Sequence, residues 1–326
     1  ISITNHRLTV AHQAIDSGLY ETLQFDTEII DEAQNIKNHG TQAAQAVKKI
    51  SARVRFALTG TPIENRLSEL WSIFDYLMPG YLYSYTRFRK QFEMPIMKKE
   101  NEDAMADLQK MIRPFILRRL KKEVLSDLPD KIEKCVTIPL EGEQKKLYDA
   151  HVQRLKFMLE NEEFANIRMQ VLAELTRLRQ LCCDPALIYQ DYQEGAAKME
   201  LCMELLNNAV NGGHKVLLFS QFTSMLGILE KRMEEAGIGY YSLTGSTPKK
   251  ERMELMEKFN RDATPVFCIS LKAGGTGLNL TGADVVIHYD PWWNVAAENQ
   301  ATDRAHRIGQ TKDVDVIKLI AQGTIE

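Results

Sequence analysis

The sequence predicts an α/β fold in which two regions built on parallel sheets flank a helix-rich region. Three observations favour this class. Short apolar runs of strand length alternate with segments whose apolar residues recur at helical spacing. Successive runs are separated by enough chain for a crossover helix, which predicts parallel pairing. Glycine, threonine or acidic residues follow several runs directly, as at the carboxyl ends of strands in α/β proteins. The expected domain limits are residues 1–78, 79–198 and 199–326.

In the first region, two short apolar runs are predicted to be buried strands. They extend from Glu28 to Ile30 and from Val54 to Leu58. The segment from Thr41 to Ile50 has helical periodicity and lies between them. Strand, helix and strand in this order predict a parallel pair. Residues 1–4 are expected to form a further strand that enters this domain part-way.

The middle region is predicted to be mainly a helical packing domain. Apolar residues recur at helical spacing from Glu102 to Ile112 and over the long stretch from Glu143 to Leu181. The last region returns to alternating strands and helices, which predicts a doubly wound sheet. Its expected strands are Val216 to Phe219, Gly239 to Leu243, Val266 to Ser270, Val285 to Tyr289 and Val314 to Ile320, with helices at Met225 to Ala236 and Lys249 to Asn260.

Composition is consistent with an ordinary globular protein of two domains. The chain has 326 residues, of which 44% are hydrophobic and 26% charged, and no apolar run approaches the length of a membrane span. A net charge of −3 argues against a domain that coats nucleic acid non-specifically, so any DNA contact must come from local patches. Five cysteines without a C-x-x-C pair favour a reducing compartment and argue against zinc.

Two acidic residues follow the first predicted strand directly. Asp31 and Glu32 should therefore emerge at the carboxyl edge of the sheet. Carboxylate oxygens are hard ligands that suit a magnesium ion on nucleotide phosphates, and an adjacent carboxylate can orient an attacking water. The alternative is an acidic helix start, which the helix dipole also favours.

A threonine and glycine turn follows the second predicted strand. Thr59, Gly60 and Thr61 precede Pro62, and their hydroxyl groups could hydrogen-bond the carboxylates of the neighbouring strand end. Such a turn can change conformation when a nucleotide leaves. The same residues could form an ordinary helix start with Pro62 in its first turn, and both interpretations stay open.

The last region carries a glycine-rich loop and two spaced arginines. Gly274, Gly275 and Gly277 follow a predicted strand and permit backbone geometries that other residues resist. Arg304 and Arg307 lie three residues apart in a polar segment of helical character, so both guanidinium groups should face one side and could contact phosphate oxygens. A solvated helix face is the alternative.

Six sequence strings follow one another along nearly the whole chain. They are IIDEAQNIKN (29–38), FALTGTPIENRLSELWSIFDYLMPG (56–80), RPFILRRLKKEVLSDLP (113–129), KVLLFSQF (215–222), SLTGST (242–247) and VFCISLKAGGTGLNLTGADVVIHYDPWWNVAAENQATDRAHRIGQ (266–310). In this order they resemble a Swi/Snf-type DNA-dependent ATPase of helicase superfamily two. This resemblance implies two RecA-like parallel-sheet lobes, the first incomplete, with helical insertions between them.

The resemblance implies ATP and Mg²⁺ as cofactors. It assigns Asp31 to organising the magnesium ion through water, and Glu32 to polarising the attacking water. Arg304 and Arg307 would serve as arginine fingers when the cleft between the lobes closes. Further nucleotide contacts are implied at Gln34, Gly275, Gly277 and Gln300. Gln34 is also assigned to coupling between the lobes.

The resemblance also implies coupling and DNA contacts. Thr59, Gly60 and Thr61 are the coupling turn. Hydroxyl, amide and backbone N–H groups of the second lobe can hold phosphates without reading base sequence. The implied DNA contacts are Ser220, Gln221, Lys272, Thr276 and Asn279.

Other residues leave alternatives open. The basic cluster could bind phosphates or form a solvated helix face. Trp292 and Trp293 are expected to pack rather than to stack on bases, and His306 is expected to be a hydrogen-bonding residue rather than a general base. The cluster comprises Arg113, Arg118, Arg119, Lys121 and Lys122.

The pattern G-x-x-x-x-G-K-[ST], which anchors nucleotide phosphates, does not occur in the sequence. The family carries it upstream of the region that begins at Ile1, so the chain is expected to be a truncated ATPase that alone does not hydrolyse ATP. Val295 also departs from the family's usual proline.

The resulting functional hypothesis is an ATP-dependent translocase on double-stranded DNA that displaces bound proteins, with no membrane partner. The alternatives are a non-catalytic scaffold that keeps the fold and a strand-separating helicase. The spelling DEAQ suggests a bacterial, nucleoid-associated protein of the cytoplasm, or a nuclear one if the source is eukaryotic.

Overall fold

The computed structural model describes residues 23–60, 62–63, 66–119, 121–125, 128–274 and 278–326. Contacts between residues divide the chain into two compact units, the second of which begins at Lys121. The sequence analysis placed domain limits after residues 78 and 198, between the lobes and the helical insertion. The division at Lys121 does not test those limits, which stay a prediction.

The first unit contains a two-stranded parallel sheet. Strands β1 (Gln24–Ile30) and β2 (Ser51–Ala57) pair in parallel with Ile30 opposite Ala57. Helix α1 (Gln42–Lys49) connects them, and the hydroxyl of Thr41 caps its first turn by accepting the Ala44 N–H at 3.3 Å. The predicted strand, helix and strand and their parallel pairing are confirmed, but the expectation that both strands are buried is wrong, since Ile29 is 61% and Phe56 is 52% exposed. A sheet of only two strands leaves much of both strands uncovered. The expected strand over residues 1–4 lies outside the described residues.

The rest of the first unit is helical. Large side chains of Leu, Trp and Phe from its helices form the core of this part. The elements are α2 (Leu67–Leu77), α3 (Tyr85–Phe88), a π-helical turn (Arg89–Glu93), α4 (Met94–Lys99) and α5 (Glu102–Ile112), followed by a 3₁₀ turn (Arg113–Phe115). The predicted helix from Glu102 to Ile112 is confirmed at both ends.

Arg55 of β2 ties the sheet to α2. Its Nη1 donates to the Tyr76 carbonyl at 2.8 Å and its Nη2 to the Ile50 carbonyl at 2.5 Å, while Nε lies 3.2 Å from a carboxylate oxygen of Glu28. Burial raises the pKa of Glu28 to about 7, although the positive charge of Arg55 acts in the opposite direction. This guanidinium therefore holds the strand ends and the helix in one arrangement.

The second unit is built on a six-stranded parallel sheet. The strands are β3 (Lys131–Pro139), β4 (Val216–Ser220), β5 (Tyr240–Leu243), β6 (Val266–Ser270), β7 (Val285–His288) and β8 (Val314–Gln322). Their order in the sheet is β3, β8, β7, β4, β6, β5, and all neighbours are parallel. Strands β5 and β6 therefore lie on one side of β4, and β7 and β8 lie on the other, as in a doubly wound fold. The predicted sheet is confirmed.

Strand β3 was not predicted. It lies in the stretch expected to be helical and pairs with β8 over nine residues, with Lys131 opposite Val314 and Pro139 opposite Gln322. Its side chains are mostly exposed because it forms an edge of the sheet. The missing signal is physical, since an edge strand with two solvated faces lacks the apolar run that marks β4 or β6.

Helices cover both faces of this sheet, and each face has its own apolar core. One core includes Met199, Leu206, Leu218 and Leu229; the other includes Leu217, Phe219, Phe259 and Phe267. The helices are α6 (Lys121–Val124), α7 (Gly142–Asn161), α8 (Phe164–Cys183), α9 (Ala197–Asn211), α10 (Thr223–Glu235), α11 (Lys249–Arg261), α12 (Leu271–Gly274) and α13 (Val295–Thr302).

The long helical stretch predicted from Glu143 to Leu181 is two helices, α7 and α8. Glu162 and Glu163 adopt extended backbone conformations between them. A buried polar group joins the two helices: the Glu174 carboxylate contacts His151 Nδ1, and His151 Nε2 lies 2.8 Å from the Tyr189 hydroxyl. The contact between His151 on α7 and Glu174 on α8 fixes the packing of the two helices.

Asp284 organises the amino end of β7. Its carboxylate accepts hydrogen bonds from His214 Nδ1 at 2.9 Å, the Lys215 N–H at 3.0 Å and Lys312 Nζ at 2.9 Å. Burial acts to raise the pKa of Asp284, but the hydrogen bonds from His214 and Lys312 outweigh it and hold the pKa below its ordinary value. In the residues covered by the structure, no helix combines the length and apolarity needed to cross a bilayer.

Candidate functional site

The first candidate site lies where β1 ends. Asp31 follows the strand and is exposed, and Glu32 adopts a left-handed conformation with φ 54° and ψ 51°. The Glu32 N–H donates to Asp31 Oδ1 at 2.8 Å, and the Ala33 N–H donates to the Leu58 carbonyl at 2.9 Å. A glutamate with positive φ is uncommon and costs about 1 kcal/mol or more. The fold therefore holds both carboxylates at a sharp turn on the carboxyl edge of the sheet.

A relay of side-chain hydrogen bonds connects this turn to the end of β2. Thr59 Oγ1 donates to Gln34 Oε1 at 2.7 Å, and Gln34 Nε2 donates to Glu32 Oε2 at 2.5 Å. The sequence predicted that a hydroxyl of this turn could reach the carboxylates, and the structure brings Thr59 to Glu32 through the Gln34 amide. Gly60 is exposed beside it, whereas Thr61 lies outside the described residues.

Asp31 has the chemistry that a hydrated magnesium ion requires. Its carboxylate is exposed and uses Oδ1 for the Glu32 N–H, which leaves Oδ2 directed away from that bond. A single hard oxygen ligand fits Mg²⁺, which keeps several waters and is commonly bound through one or two carboxylates and substrate phosphates. Within the described ranges, no cluster of three or more His, Cys, Asp or Glu side chains could hold a metal without such help.

The second candidate site lies on the carboxyl edge of the six-stranded sheet, where the neighbouring strands β4 and β7 end. Ser220 is the last residue of β4, and its Oγ accepts the Phe222 N–H at 3.1 Å. The Gln221 N–H donates to both Asp290 carboxylate oxygens, at 3.3 and 3.1 Å. The sequence predicted Ser220 and Gln221 as site residues and overlooked Asp290.

Asp290 is fully buried and lies two residues beyond β7. Burial raises its pKa to about 7, although hydrogen bonds from Ser220 and Gln221 and the nearby cations Lys198 and Arg179 favour the charged form. An acidic residue directly after an apolar strand is the pattern that identified Asp31, so the same signal was present in the sequence for Asp290.

Arg179 reaches this edge from helix α8. Its Nη2 donates to the Pro291 carbonyl at 2.6 Å and lies 3.9 Å from Asp290 Oδ2. Its guanidinium carbon lies 4.9 Å from the centroid of the Trp292 ring and 5.0 Å from that of Trp293. Sequence reasoning gave no signal for Arg179, because nothing in a helical periodicity shows which distant loop a side chain meets.

The expectation that Arg304 and Arg307 share a helix face is wrong. Helix α13 ends at Thr302, and both arginines lie in the turns that follow. Arg304 is buried, and its carbonyl accepts the Leu280 N–H at 3.0 Å. Arg307 is partly buried, and its Nη1 donates to the Leu278 carbonyl at 3.1 Å. Their positions follow from contacts with the segment after the glycine loop rather than from helical spacing.

The remaining predicted residues of this region are only partly described. Gly275, Thr276 and Gly277 lie outside the described residues, as does the side chain of Lys272, which is on the short helix α12. Asn279 is exposed, and its carbonyl accepts Asn260 Nδ2 at 2.9 Å. Gln300 is partly buried on α13.

The basic cluster does not form one helix face. Arg113 lies in a 3₁₀ turn, Arg118 and Arg119 lie in irregular backbone, and Lys121 begins α6. Lys121 Nζ lies 2.6 Å from Asp303 Oδ1 and donates to the His306 carbonyl at 3.2 Å.

His306 and the tryptophans make protein contacts. His306 Nε2 donates to the Pro129 carbonyl at 2.8 Å, a hydrogen-bonding role of the kind expected. Trp292 is partly buried, and Trp293 is 56% exposed.

Comparison with known proteins identifies the family. The SNF2-related domain pattern matches residues 7–187, and the helicase conserved C-terminal domain pattern matches residues 197–309. The chain belongs to the SNF2 family. The resemblance inferred from the six motifs is thereby confirmed, and the relatives of this chain include proteins named as ATP-dependent helicases.

Two relatives and one solved structure show the extent of the similarity. YwqA of Bacillus subtilis, named for ATP-dependent helicase/translocase activity, is 43% identical over 95% of this chain and 35% of its own length. The TATA-binding protein-associated factor MOT1 of Saccharomyces cerevisiae is 35% identical over 95% of this chain and 20% of its own length. The chain thus spans about a third or less of these relatives.

The structure of the Sulfolobus solfataricus SWI2/SNF2 ATPase core in complex with dsDNA is 38% identical. It matches 97% of this chain with a TM-score of 0.54, and the chain covers 68% of it. The parallel sheets found here therefore belong to the two RecA-like lobes of an SNF2 ATPase core, as the sequence predicted.

Proposed function

We propose that the intact protein is an ATP-dependent translocase on double-stranded DNA that displaces bound proteins. The carrying observation is the turn at the end of β1, where Asp31, Glu32, Gln34 and Thr59 form one hydrogen-bonded group on a sheet of SNF2 type. The Sulfolobus relative was solved with double-stranded DNA, which supports this nucleic acid as the partner. Relatives from bacteria and eukaryotes support a DNA-containing compartment, cytoplasmic or nuclear.

In this proposal the carboxylates divide the work of hydrolysis. Asp31, which is exposed, would hold a hydrated Mg²⁺ ion, and the ion would supply positive charge to the phosphates of ATP. Glu32 accepts a hydrogen bond from the attacking water, and the Gln34 amide on its Oε2 fixes the orientation of that carboxylate. The Thr59 hydroxyl in turn fixes the orientation of the Gln34 amide by donating to it. The conformation of the turn after β2 is therefore coupled to the orientation of the Glu32 carboxylate.

The second unit supplies positive charge and phosphate contacts. We assign Arg304 and Arg307 to the transferred phosphoryl group and Gln300, Gly275 and Gly277 to nucleotide contacts, as the family motif implies. The DNA backbone is assigned to Ser220, Gln221, Lys272, Thr276 and Asn279. Backbone contacts of this kind carry no base sequence, so binding is expected to be independent of sequence and to weaken with salt.

The first test is ATP hydrolysis by the intact protein, with and without duplex DNA. Glu32→Gln keeps the shape of the side chain and removes the base, so turnover is expected to fall by about 10²-fold or more while nucleotide binding persists. Glu102→Gln, at an exposed carboxylate of the same unit, is the matched control and is expected to retain the rate. Hydrolysis at the parental rate in Glu32→Gln refutes the assignment.

A second assay separates translocation from strand separation. A translocase displaces the third strand of a triplex without opening the duplex beneath it, whereas a strand-separating helicase releases a labelled strand of the duplex itself. ATP-dependent loss of the third strand, with the duplex intact, is the expected result. DNA binding with neither hydrolysis nor displacement points to a scaffold.

A further inference from the structure

Arg179 occupies a position that none of the nucleotide or DNA assignments uses. It comes from α8, a helix outside the sheet, and its side chain is 4% exposed. A guanidinium is costly to bury unless its surroundings compensate the lost hydration. The compensation here comes from two loops at neighbouring strand ends, the one after β4 and the one after β7.

The contacts of Arg179 join these loops. On the β7 side, Nη2 donates to the Pro291 carbonyl at 2.6 Å and lies 3.9 Å from Asp290. On the β4 side, the guanidinium carbon lies 5.8 Å from the centroid of the Phe222 ring. Asp290 completes the connection by accepting the Gln221 N–H. One planar cation thus contacts both loops directly, and one carboxylate links them a second time.

Two indole rings enclose the same cation. The centroids of Trp292 and Trp293 lie 4.9 and 5.0 Å from the Arg179 guanidinium carbon, within the range of cation–π attraction. Trp293 is nevertheless 56% exposed, so this side of the assembly faces solvent. A lysine could keep the charge but not the flat surface that lies against both rings.

The β7 loop continues directly into the arginine segment. The Trp292 N–H donates to Glu298 Oε1 at 3.2 Å on α13, and Glu298 Oε2 lies 2.8 Å from Lys318 Nζ on β8. Helix α13 ends two residues before Arg304. The Trp292 turn is thus hydrogen-bonded to the first turn of the helix that ends just before Arg304.

We propose that Arg179 is a positioning residue that locks the Ser220–Phe222 loop and the Asp290–Trp293 turn into one arrangement, so that contact of DNA with the first loop reaches the arginine segment. This inference rests on the proposed function for its DNA step. The geometric part, that the guanidinium orders the two tryptophans, stands without it. In this proposal Arg179 acts only through its contacts with the two loops.

The experiment uses the intact protein with Arg179→Lys and Arg179→Met. Arg168, an exposed arginine on the same helix, gives the matched control Arg168→Met. DNA-stimulated ATP hydrolysis is measured against duplex concentration. Both Arg179 variants are expected to lose about tenfold in the maximal stimulated rate, with the half-saturating DNA concentration changed by less than about threefold. Equal loss in the lysine variant shows that the planar group matters and not the charge alone.

A spectroscopic readout tests the geometric part without DNA. In a background with Trp71→Phe, and with any tryptophan outside the 326 residues also replaced by phenylalanine, the remaining tryptophans are Trp292 and Trp293. Replacing Arg179 is expected to shift their emission and to increase quenching by acrylamide, whereas Arg168→Met leaves both unchanged. Trp293→Ala removes one of the two rings that contact the Arg179 guanidinium. Because the Trp293 ring is 56% exposed, its loss leaves no cavity in the core. Like the Arg179 variants, it is expected to lower the maximal DNA-stimulated rate.

The outcomes separate the two hypotheses. A parental protein without DNA-stimulated hydrolysis refutes the proposed function, and the emission measurement then decides the positioning role by itself. A stimulated parental protein whose Arg179 variants keep full stimulation overturns the inference. Unchanged emission in both Arg179 variants overturns it as well. If Arg179→Met does not fold, the DNA-stimulated rates of Arg179→Lys and Trp293→Ala are compared with those of the parental protein and of Arg168→Met instead.

Discussion

Replacing Asp290 by asparagine should change how the stability of the second unit depends on pH. The buried native carboxyl keeps its proton up to about pH 7, whereas in the unfolded chain it releases the proton near its ordinary value of 3.8. Between these values the unfolded chain binds fewer protons than the native one. The free energy of unfolding of the parental protein therefore falls as pH rises through this window.

The magnitude follows from the size of the pKa difference. Each pH unit inside the window contributes about 1.4 kcal/mol, and the full window of about three units gives an upper bound of about 4 kcal/mol. Asp290→Asn cannot ionise and has no such slope. The stability of the variant relative to the parent should thus rise by about 1.4 kcal/mol per unit from pH 5 to 7 and level off above pH 7.

The comparison must be made as a difference between two proteins. Burial lowers the pKa of His288 to about 4, so His288 contributes stability that is lost as pH falls below about 6.5. This contribution runs opposite to that of Asp290 in an overlapping window. It is present in both proteins and cancels when one unfolding free energy is subtracted from the other.

The assay is urea unfolding at pH 5, 6, 7 and 8, followed by the emission of Trp292 and Trp293 in the same background with all other tryptophans replaced by phenylalanine. These two rings follow Asp290 and Pro291 in the sequence and belong to the second unit, so they report on its unfolding. Asp191→Asn, at an exposed aspartate of the same unit, is the control and should run parallel to the parent. Parallel curves for Asp290→Asn and the parent refute the reasoning, because they show that the native carboxyl is not held neutral by burial.

Three further substitutions probe other polar groups. Asp284→Asn should lower the free energy of unfolding by about 1–3 kcal/mol near pH 7, as measured by urea unfolding. Because the native pKa of Asp284 lies below the unfolded value of 3.8, the stabilisation by its carboxylate is lost as pH falls below 3.8. The difference in unfolding free energy between the variant and the parent should therefore narrow there. Glu174→Leu should cost about 1–3 kcal/mol by the same measurement, since it leaves buried His151 Nδ1 without its acceptor, and Glu174→Gln should cost less. Thr59→Val removes the donor to Gln34 and should lower ATP turnover of the intact protein about tenfold, or about 1.4 kcal/mol in barrier, with a smaller loss of stability.

Each of these has a clear contrary result. A deficit for Asp284→Asn that stays constant from pH 7 to pH 3 contradicts the lowered native pKa. Equal losses for the two Glu174 variants show that the acceptor oxygen is not what matters. Full turnover in Thr59→Val indicates that the relay to Glu32 has no part in hydrolysis.

Local patterns in the sequence were sufficient for most of the fold. The apolar runs at β4, β6 and β7 are buried strands, and such strands must be apolar wherever they lie in the chain. The runs at β1 and β2 also marked strands, although neither of these strands is buried. Edge strand β3 lacked that signal. The break between α7 and α8 also escaped prediction, because two glutamates are compatible with a continuous helix as well as with a turn.

The candidate site divides in the same way. Asp31 and Glu32 could be placed from sequence, since residues directly after a parallel strand emerge at its carboxyl edge. The helical geometry assumed for Arg304 and Arg307 was wrong, because their conformation depends on the segment around Leu278 and Leu280, far away in sequence. The roles of all these residues stay predictions until the variants are measured.

The sequence by itself determined the family, the α/β class and the presence of carboxylates at a strand end, because motif order, apolar periodicity and residue type are properties of short stretches of chain. Only the tertiary structure decided that Gln34 links Thr59 to Glu32, and that Arg179 lies against Asp290 and the two tryptophans. The hydrogen bond from Arg179 to the Pro291 carbonyl, in the same assembly, joins residues 112 positions apart. Which distant groups meet is set by the packing of whole helices on the sheet, and no local pattern records it.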